Sequence, residues 1–240
     1  MSSAAICHEV ECGGYAADLP VWERLAAPFH GPLLELGCGT GRVALRLADG
    51  GHEVWGVDAD ASLVEALRAR AAAQGLAVRT ICADVCALEL DREFELILAP
   101  MQLLQALGSA PARRAALERA ADHLAPSGRL AAAIVEHPSA TPDGPEAALP
   151  DIRQLDGWVY SSLPAVHVSA AGQLEIRRHR QAVSPDGSLS EEECTDRLDA
   201  LDAGALEAEA GTLGLRPVAR LEVPPADDYF GSTVVILGRS

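Results

Sequence analysis

The chain has 240 residues, of which 49% are hydrophobic and 22% charged, and its formal net charge is −16 at pH 7. A chain of this size can bury a full hydrophobic core without stabilising disulfide bonds, so its six cysteines do not predict a disulfide framework. The negative charge argues against a nucleic-acid partner, because phosphate binding depends on basic side chains. The sequence contains no lysine and no asparagine, which excludes a Schiff-base lysine, a phosphate-loop lysine and a catalytic asparagine.

Neither export, nor membrane insertion, nor a metal site is predicted. The first residues lack a basic start followed by an apolar run, and no stretch reaches the roughly 18 apolar residues of a membrane-spanning helix. We therefore expect a cytoplasmic protein without membrane contact. The segment "CHEVEC" offers Cys7, His8 and Cys12 as metal ligands, but no second ligand pair at zinc spacing follows it.

The order of apolar segments predicts an α/β fold. A helix is expected within residues 1–30, at "DLPVWERLAAPF". In residues 31–138, short apolar runs typical of strands alternate with segments of helical periodicity, which predicts βαβ units and a parallel sheet. The expected strands are "PLLELG", "HEVWGVD", "VRTICADV", "FELILAP" and "RLAAAIVEH", and the expected helices are "GRVALRLADGG", "ASLVEALRARAAAQG" and "PARRAALERAADHLAPSG".

The pattern changes after residue 138. Residues 139–202 begin with a loop rich in proline and alanine, and continue as short β-type runs separated by the turn signals "AAG" and "SPDGS". We expect a few antiparallel strands inserted after the fifth parallel strand. In residues 203–240, a helix and the two runs "PVARLEV" and "STVVILG" are expected to complete the main sheet of one domain that spans residues 1–240.

A glycine-rich loop follows the first predicted strand, in "ELGCGTGR". In an open α/β sheet such a loop lies at the ligand-binding edge. Gly37, Gly39 and Gly41 give the spacing G-x-G-x-G, whereas a dinucleotide fingerprint is G-x-G-x-x-G, and Arg42 stands where its third glycine would be. A phosphate-bearing ligand is therefore disfavoured.

Three carboxylates lie at the ends of the first three predicted strands. Glu35 precedes the glycine loop, where a carboxylate attracts an ammonium or sulfonium group. Asp58 lies about twenty residues past the glycines, the position at which an acidic side chain accepts ribose hydroxyls. Asp84 ends the next strand, where it is placed to accept from an adenine amino group. Together they describe an adenosine that carries a cationic tail and no phosphates.

The ordered set "ELGCGTGR", "GVDAD", "CADV" and "FELILAPMQ" resembles the class I SAM-dependent methyltransferase family, over roughly residues 31–137. The resemblance implies S-adenosylmethionine (SAM) as cofactor and S-adenosylhomocysteine as product. It assigns Glu35 and the loop to the methionine part, Asp58 to the ribose and Asp84 to the adenine. The full predicted cofactor set is Tyr15, Glu35, Gly37, Cys38, Gly39, Gly41, Asp58, Ala59, Asp84, Val85, Ala99 and Pro100.

The resemblance also implies a fold and an acceptor side. The family fold is a Rossmann-like, mostly parallel sheet of seven strands with helices on both faces, and its last strand is antiparallel. Residues 1–30 would form a helical lid that carries Tyr15, and residues 31–138 would form the SAM-binding core. The inserted β segment would wall the acceptor site or mediate dimerisation. Met101, Gln102 and Tyr229 are the expected acceptor-pocket residues, and His137 is the candidate general base.

Each of these residues also has a plain structural interpretation. Asp58 precedes "ADASLVEAL" and would equally serve as a helix cap. Tyr15 would be a packing tyrosine, His137 a solvated loop residue, and Gln102 and Gln105 part of a helix surface. Arg178 and Arg180 share one face of a predicted strand. They would meet an acidic acceptor or, as the favoured alternative, pair with Glu191–Glu193 across a hairpin.

The sequence leaves several functions open. The favoured hypothesis is methyl transfer from SAM to the oxygen, nitrogen or sulfur of a small-molecule acceptor, by a monomer or homodimer. The alternatives are a SAM-dependent reaction without methylation, such as cyclisation, and a SAM-binding protein without catalysis. An NAD-dependent oxidoreductase ranks last, because Arg42 replaces the glycine that this cofactor requires.

Overall fold

The computed structural model of the chain describes residues 1–136, 149–169, 172–226 and 229–239. The helices are α1 (Ser3–Glu11), α2 (Leu19–Ala26), α3 (Arg42–Asp49), α4 (Ala61–Ala73), α5 (Leu103–Ala106), α6 (Ala110–Asp122) and α7 (Ala203–Gly211). The strands are β1 (Leu33–Leu36), β2 (Val54–Asp58), β3 (Val78–Cys82), β4 (Phe94–Ala99), β5 (Leu124–Ile134), β6 (Asp151–Leu155), β7 (Trp158–Val168), β8 (Leu174–Val183), β9 (Leu189–Leu198), β10 (Leu215–Val223) and β11 (Ser232–Arg239).

The strands form two sheets. The larger has seven strands in the order β10-β11-β5-β4-β1-β2-β3. Strands β5, β4, β1, β2 and β3 are parallel neighbours, whereas β11 pairs antiparallel with both β5 and β10. The smaller sheet is antiparallel, with the order β6-β7-β8-β9. The predicted fold class is therefore confirmed, including the antiparallel last strand and the inserted antiparallel segment.

Helices cover both faces of the large sheet and bury its centre. One apolar cluster includes Leu117 of α6 and Leu206 of α7, and the other includes Trp22 of α2 and Leu67 of α4. Every residue of β1 is buried, as expected for a central parallel strand. The only acidic residue of that strand, Glu35, is consequently held in an apolar environment.

The carboxyl end of β1 lies at the point where the strand order reverses. β1 pairs with β2 on one side and with β4 on the other, so the chain leaves β1 in one direction and later returns on its opposite side. This switch point leaves an open crevice above the strand ends, which is where doubly wound sheets bind ligands.

Helix α1 lies between the small sheet and the loop that follows β1. Its N-cap is Ser2, whose hydroxyl accepts from the Ala5 N–H at 3.2 Å. One side of α1 contacts the small sheet through Glu11, and its other side contacts the loop through His8. The sequence did not predict this helix, which contains most of "CHEVEC". None of the helices within the described ranges is long and apolar enough to cross a bilayer.

Candidate cofactor and acceptor site

The glycine loop between β1 and α3 needs glycine for its backbone shape. Gly37, Gly39 and Gly41 have φ angles of 64°, 52° and 93°, in the left-handed region that side chains disfavour. A Cβ on Gly41 would also lie 2.2 Å from the Leu67 Cδ1 atom. The loop therefore presents bare backbone at the switch point. Cys38, between the first two glycines, is buried in the core.

Glu35 is a buried carboxylate with an unused oxygen. Its side chain is 3% exposed, and its Oε2 atom has no hydrogen-bond partner. Burial raises the pKa of Glu35 to about 8, although the nearby Arg42 guanidinium opposes this shift. Such a group is costly in a fold unless a ligand supplies a donor. A cationic donor such as an ammonium group fits this position.

Asp58 organises the loop from the end of β2. Its Oδ2 atom accepts from the Gly39 N–H at 2.9 Å, and its Oδ1 atom accepts from the Asp60 N–H at 2.9 Å. The N-cap of α4 is Asp60, whose side chain accepts from the Ser62 N–H at 2.7 Å. The alternative that Asp58 caps this helix is therefore wrong. Ala59 lies exposed beside it.

Asp84 and Val85 lie at the same edge because β2 and β3 are paired to their ends, with Asp58 opposite Cys82. Asp84 is exposed, and its carboxylate accepts from the Cys86 N–H at 2.9 Å. Val85 is buried and begins a short 3₁₀ turn. Asp84 therefore caps a turn, and it lies exposed at the edge of the sheet where the sequence predicts the adenine.

The chain makes a strained turn directly after β4. Ala99 and Pro100 are buried, and the next two residues, Met101 and Gln102, have φ angles of 50° and 57°. Two consecutive non-glycine residues in the left-handed region are unusual, and such strain is concentrated at functional sites. The turn contacts the glycine loop, because the Cβ position of Gly37 lies 2.8 Å from the Cδ1 atom of Leu103. Met101 and Gln102 are half-buried at this edge.

Gln105 has an interior role that the sequence did not reveal. Its amide nitrogen donates to the carbonyls of Val135 and Asp199 at 3.1 and 2.9 Å, and its amide oxygen accepts from the Val135 N–H at 2.8 Å. It is 2% exposed. Gln105 thus ties the end of β5 to the segment that leaves the small sheet, so the helix-surface interpretation is wrong for this residue.

Tyr15 and Tyr229 form an aromatic wall beside the glycine loop. Their rings stack with centroids 4.5 Å apart, and the Tyr229 hydroxyl donates to the Glu11 carbonyl at 2.8 Å. The Arg42 guanidinium lies 5.1 Å from the Tyr15 ring centroid and donates to the Asp18 carboxylate at 2.8 Å. Burial raises the pKa of Tyr229 to about 12 and also raises that of Tyr15, so both hydroxyls stay protonated at neutral pH.

Helix α1 covers the outer side of the glycine loop. The Nε2 atom of His8 lies 2.3 Å from the Cβ position of Gly39, and the His8 Nδ1 atom is 3.1 Å from the Thr40 hydroxyl. Glu9 and Arg70 form an ion pair, and Arg70 donates to the Thr40 carbonyl at 3.0 Å. His8 is therefore a site residue that sequence reasoning treated only as a metal ligand.

We expect His8→Gln to remove part of the loss of stability on acidification. Burial lowers the pKa of His8, although Glu9, Asp58 and Glu11 raise it and Arg42 lowers it further. The unfolded chain therefore takes up this proton at a higher pH than the folded chain, and stability falls as pH drops through the pKa of the unfolded histidine. Urea unfolding at pH 7 and pH 5.5 measures the difference.

The matched control for that experiment is His167→Gln, a change on the exposed outer face of the small sheet. It should keep the pH dependence of the wild-type protein. An unchanged pH dependence in His8→Gln would contradict the buried, neutral imidazole.

Two histidines, His123 and His137, flank β5 along the sequence. His137, the candidate base, lies outside the described residues. His123 ends α6 and is buried, with its Nε2 atom accepting from the Leu90 N–H at 3.2 Å, so its role is structural. Within the described ranges, no three His, Cys, Asp or Glu side chains converge as metal ligands.

The arginine pair on β8 faces α1. Arg180 donates through Nε and Nη2 to the two carboxylate oxygens of Glu11 at 2.6 and 3.0 Å, and the Ser162 hydroxyl donates to Glu11 at 2.9 Å. The predicted pairing with residues 191–193 is wrong, although Arg180 and Glu192 are opposite in the ladder. Arg180 bonds to Glu11 of α1 instead, and Glu191, on the other face of the small sheet, lies 3.2 Å from the His179 ring.

Comparison with known sequences identifies one part of the chain. A sequence model described as a methyltransferase domain matches residues 33–128, which run from β1 into the first residues of β5. These residues contain the glycine loop and the three predicted carboxylates. A comparison with curated protein sequences gives no match.

Comparison with solved structures finds the same architecture along the whole chain. The sugar N-methyltransferase KedS8 from Streptoalloteichus sp ATCC 53650 is similar with a TM-score of 0.79 and 19% identity, covering 100% of this chain and 94% of that one. SAM-bound CalS10, an amino pentose methyltransferase from Micromonospora echinaspora, has a TM-score of 0.75 and 19% identity, covering 100% and 98%. The CcbJ methyltransferase from Streptomyces caelestis has a TM-score of 0.71 and 23% identity, covering 95% and 92%.

Proposed function

We propose that this chain, whose residues 33–128 match a methyltransferase domain, is a class I SAM-dependent methyltransferase that transfers a methyl group from SAM to an amino group of a small-molecule acceptor. The observation that carries the proposal is the buried carboxyl group of Glu35, which has an unused oxygen beside a bare glycine loop. A ligand with an ammonium group and no phosphates fits this combination. SAM has that composition.

The residues that would hold SAM lie along one edge of the sheet. Glu35 would bind the ammonium group of the methionine part, and the backbone of Gly37 to Gly41 would contact it closely. Asp58 would accept the ribose hydroxyls and at the same time keep its bond to the Gly39 N–H. Asp84 and Val85 would contact the adenine. When bound, SAM supplies a methyl group that the acceptor nitrogen takes by displacement, the electrons of the carbon–sulfur bond remaining on sulfur.

The protein's own contribution would be alignment and the exclusion of water. The strained turn at Met101 and Gln102 and the stacked pair Tyr15 and Tyr229 would place the acceptor over the loop. A neutral amine is nucleophilic enough to react without a base, so the proton leaves the methylated nitrogen to water. His137 stays a prediction for a base, needed only with a less reactive acceptor.

Two observations favour nitrogen as the acceptor atom. The net charge of −16 attracts cationic molecules such as amines and repels anionic ones. Two similar structures are titled as a sugar N-methyltransferase and an amino pentose methyltransferase. We therefore propose an amine on a small polar molecule, of the size of a sugar.

We expect calorimetry to show binding of SAM and S-adenosylhomocysteine but not of NAD, and Asp58→Ala to weaken binding of the first two about 100-fold, or about 2.7 kcal/mol. The substitution removes the ribose acceptor and leaves the Gly39 N–H without its partner. Asp60→Ala is the control, because it removes the helix cap two residues away and should leave affinity within about threefold.

Binding of NAD alone, or of no cofactor, would contradict the proposal. Incubation of the wild-type protein with methyl-labelled SAM then tests the reaction. Label transferred to an amino sugar, and not to the sugar with a hydroxyl in place of the amine, is the expected result. Methylthioadenosine without a methylated product would indicate a SAM-dependent reaction of another type.

A further inference from the structure

Arg178 is a largely enclosed cation with two buried nitrogen atoms, Nε and Nη1, that have no hydrogen-bond acceptor. In the described part of the chain, three buried side-chain polar atoms lack a hydrogen-bond partner: Glu35 Oε2, Arg178 Nε and Arg178 Nη1. Buried donors without acceptors are rare in folded proteins and require an explanation. The proposed cofactor accounts for the Glu35 oxygen, but it does not account for Arg178, which lies on the small sheet.

The carboxylates around Arg178 balance its charge without bonding to it. Its Nε atom lies 3.7 Å from Glu11 Oε2 and 3.6 Å from Asp196 Oδ2, and its Nη1 atom lies 3.8 Å from Asp151 Oδ2. These distances are ion pairs but too long for hydrogen bonds. Arg180, two residues further on the same face of β8, bonds to both oxygens of Glu11. Arg178 is therefore held in position by ion pairs, while its Nε and Nη1 atoms have no hydrogen-bond acceptor.

A series of contacts leads from Arg178 to the glycine loop. Glu11, next to Arg178, accepts the Tyr229 hydroxyl at its backbone carbonyl. Tyr229 stacks on Tyr15, and Tyr15 lies against Arg42, the first residue after the loop. The cluster of Arg178, Asp151 and Asp196 thus stands beside the aromatic wall of the site.

The cluster opens to solvent through its two aspartates. The side chain of Asp196 is 56% exposed and that of Asp151 is 30% exposed, whereas that of Arg178 is 13% exposed.

The charges around this cluster select the chemistry of the ligand. Three carboxylates within 3.8 Å of the Arg178 guanidinium repel an anion such as a phosphate. The guanidinium groups of Arg178 and Arg180 disfavour a cation. A hydroxyl group is neutral, accepts from an arginine N–H and donates to a carboxylate, so it satisfies both partners at once.

We propose that Arg178, with Asp151 and Asp196, binds hydroxyl groups of the acceptor and so selects a polyhydroxylated amine. This inference rests on the proposed function and names the acceptor's recognition site. Arg178 is a specificity residue in it, not a catalytic one. The amine would lie towards the glycine loop, and the hydroxyl-bearing part would lie against the small sheet.

The first test separates a binding residue from a structural one, with Arg178→Met and Arg180→Met as a matched pair on one face of one strand. Within the described residues, Arg178→Met removes ion pairs of 3.6–3.8 Å but no hydrogen bond, so its Tm should stay within about 2 °C of the wild type. Arg180→Met leaves Glu11 buried without its partner and should lower Tm by about 6 °C or more. Equal losses of Tm in the two variants would assign Arg178 a structural role and overturn the inference.

The second test measures selectivity with two defined probes, glucosamine and cyclohexylamine, and methyl-labelled SAM. Because the two amines differ in basicity, the wild type and Arg178→Met are compared at one pH. The ratio of the glucosamine rate to the cyclohexylamine rate should be at least about tenfold higher in the wild type than in Arg178→Met, which is the discrimination expected from hydrogen-bonded hydroxyls. Affinity for SAM should be the same in both proteins. An equal rate ratio in the two proteins overturns the inference. Failure of the wild type to bind SAM would instead overturn the proposed function.

Discussion

Glu35→Gln is expected to stabilise the ligand-free protein at alkaline pH and to weaken its binding of SAM. Burial raises the pKa of Glu35 to about 8 from a usual value of 4.5. Between these values the unfolded chain has released this proton and the folded chain has kept it. The stabilisation that Glu35 contributes is therefore fully present below about pH 4.5 and is lost as pH rises towards 8.

The size of this effect follows from the pH interval. Between pH 5.5 and 8, ionisation of Glu35 should lower the unfolding free energy of the wild type by at most about 3 kcal/mol, at 1.36 kcal/mol for each pH unit. The glutamine side chain does not ionise and should remove this loss. For the same reason it cannot attract an ammonium group as a charge, and affinity for SAM should fall about 10- to 100-fold.

Urea unfolding of the wild type and the variant at pH 5.5 and 8.5 measures the first effect, and calorimetry with SAM measures the second. Because the variants are compared at the same pH, the contribution of His8 cancels. Glu53→Gln is the control, since that carboxylate is exposed. A wild type and Glu35→Gln with the same pH dependence would show that Glu35 is ionised in the ligand-free fold.

Glu11→Ala is expected to destabilise the protein by about 2–4 kcal/mol. The carboxylate is 7% exposed, and it receives two hydrogen bonds from Arg180 and one from Ser162. Its removal leaves the guanidinium half-enclosed without a partner, and breaking a buried pair in this way costs about 3–5 kcal/mol. We use a lower range because the Arg180 side chain is 22% exposed.

The same substitution should loosen α1 from the small sheet. Denaturant unfolding measures the loss of stability, and hydrogen exchange of residues 3–11 reports the release of the helix. Glu191→Ala is the control: its carboxylate bonds to Gln181 on the outer face and is half exposed, so its loss should cost about 0.5 kcal/mol or less. If both variants lost stability equally, Glu11 would not be the anchor of α1.

The cofactor side of the site was readable from the sequence because its parts are local. In a parallel α/β sheet every strand ends at the same edge, so Glu35, Asp58 and Asp84, which lie at or just after the ends of β1, β2 and β3, are brought together by the strand order alone. The glycine loop is a local feature as well, because the positive φ angle at each of these positions requires a glycine at that same position in the sequence. The resemblance to a known family then named the cofactor.

Helix α1 escaped prediction because its nine residues are too few to show a clear helical periodicity, although Ser2 caps it. Short helices are marginal in water and depend on tertiary packing. Here the packing comes from two distant segments, the glycine loop at Thr40 and the small sheet at Ser162 and Arg180. No local pattern contains that information.

By itself, therefore, the sequence determined the fold class, the switch-point loop and the carboxylates around it, since these follow from periodicity and from positions along the chain. The tertiary structure decided the partners across the site. Arg180 binds Glu11 at a separation of 169 residues, Tyr229 stacks on Tyr15, and Gln105 turns inward to Val135. The physical reason is that a buried polar side chain forms hydrogen bonds with the polar groups that are enclosed next to it. Those neighbours are determined only when the two sheets and α1 pack together.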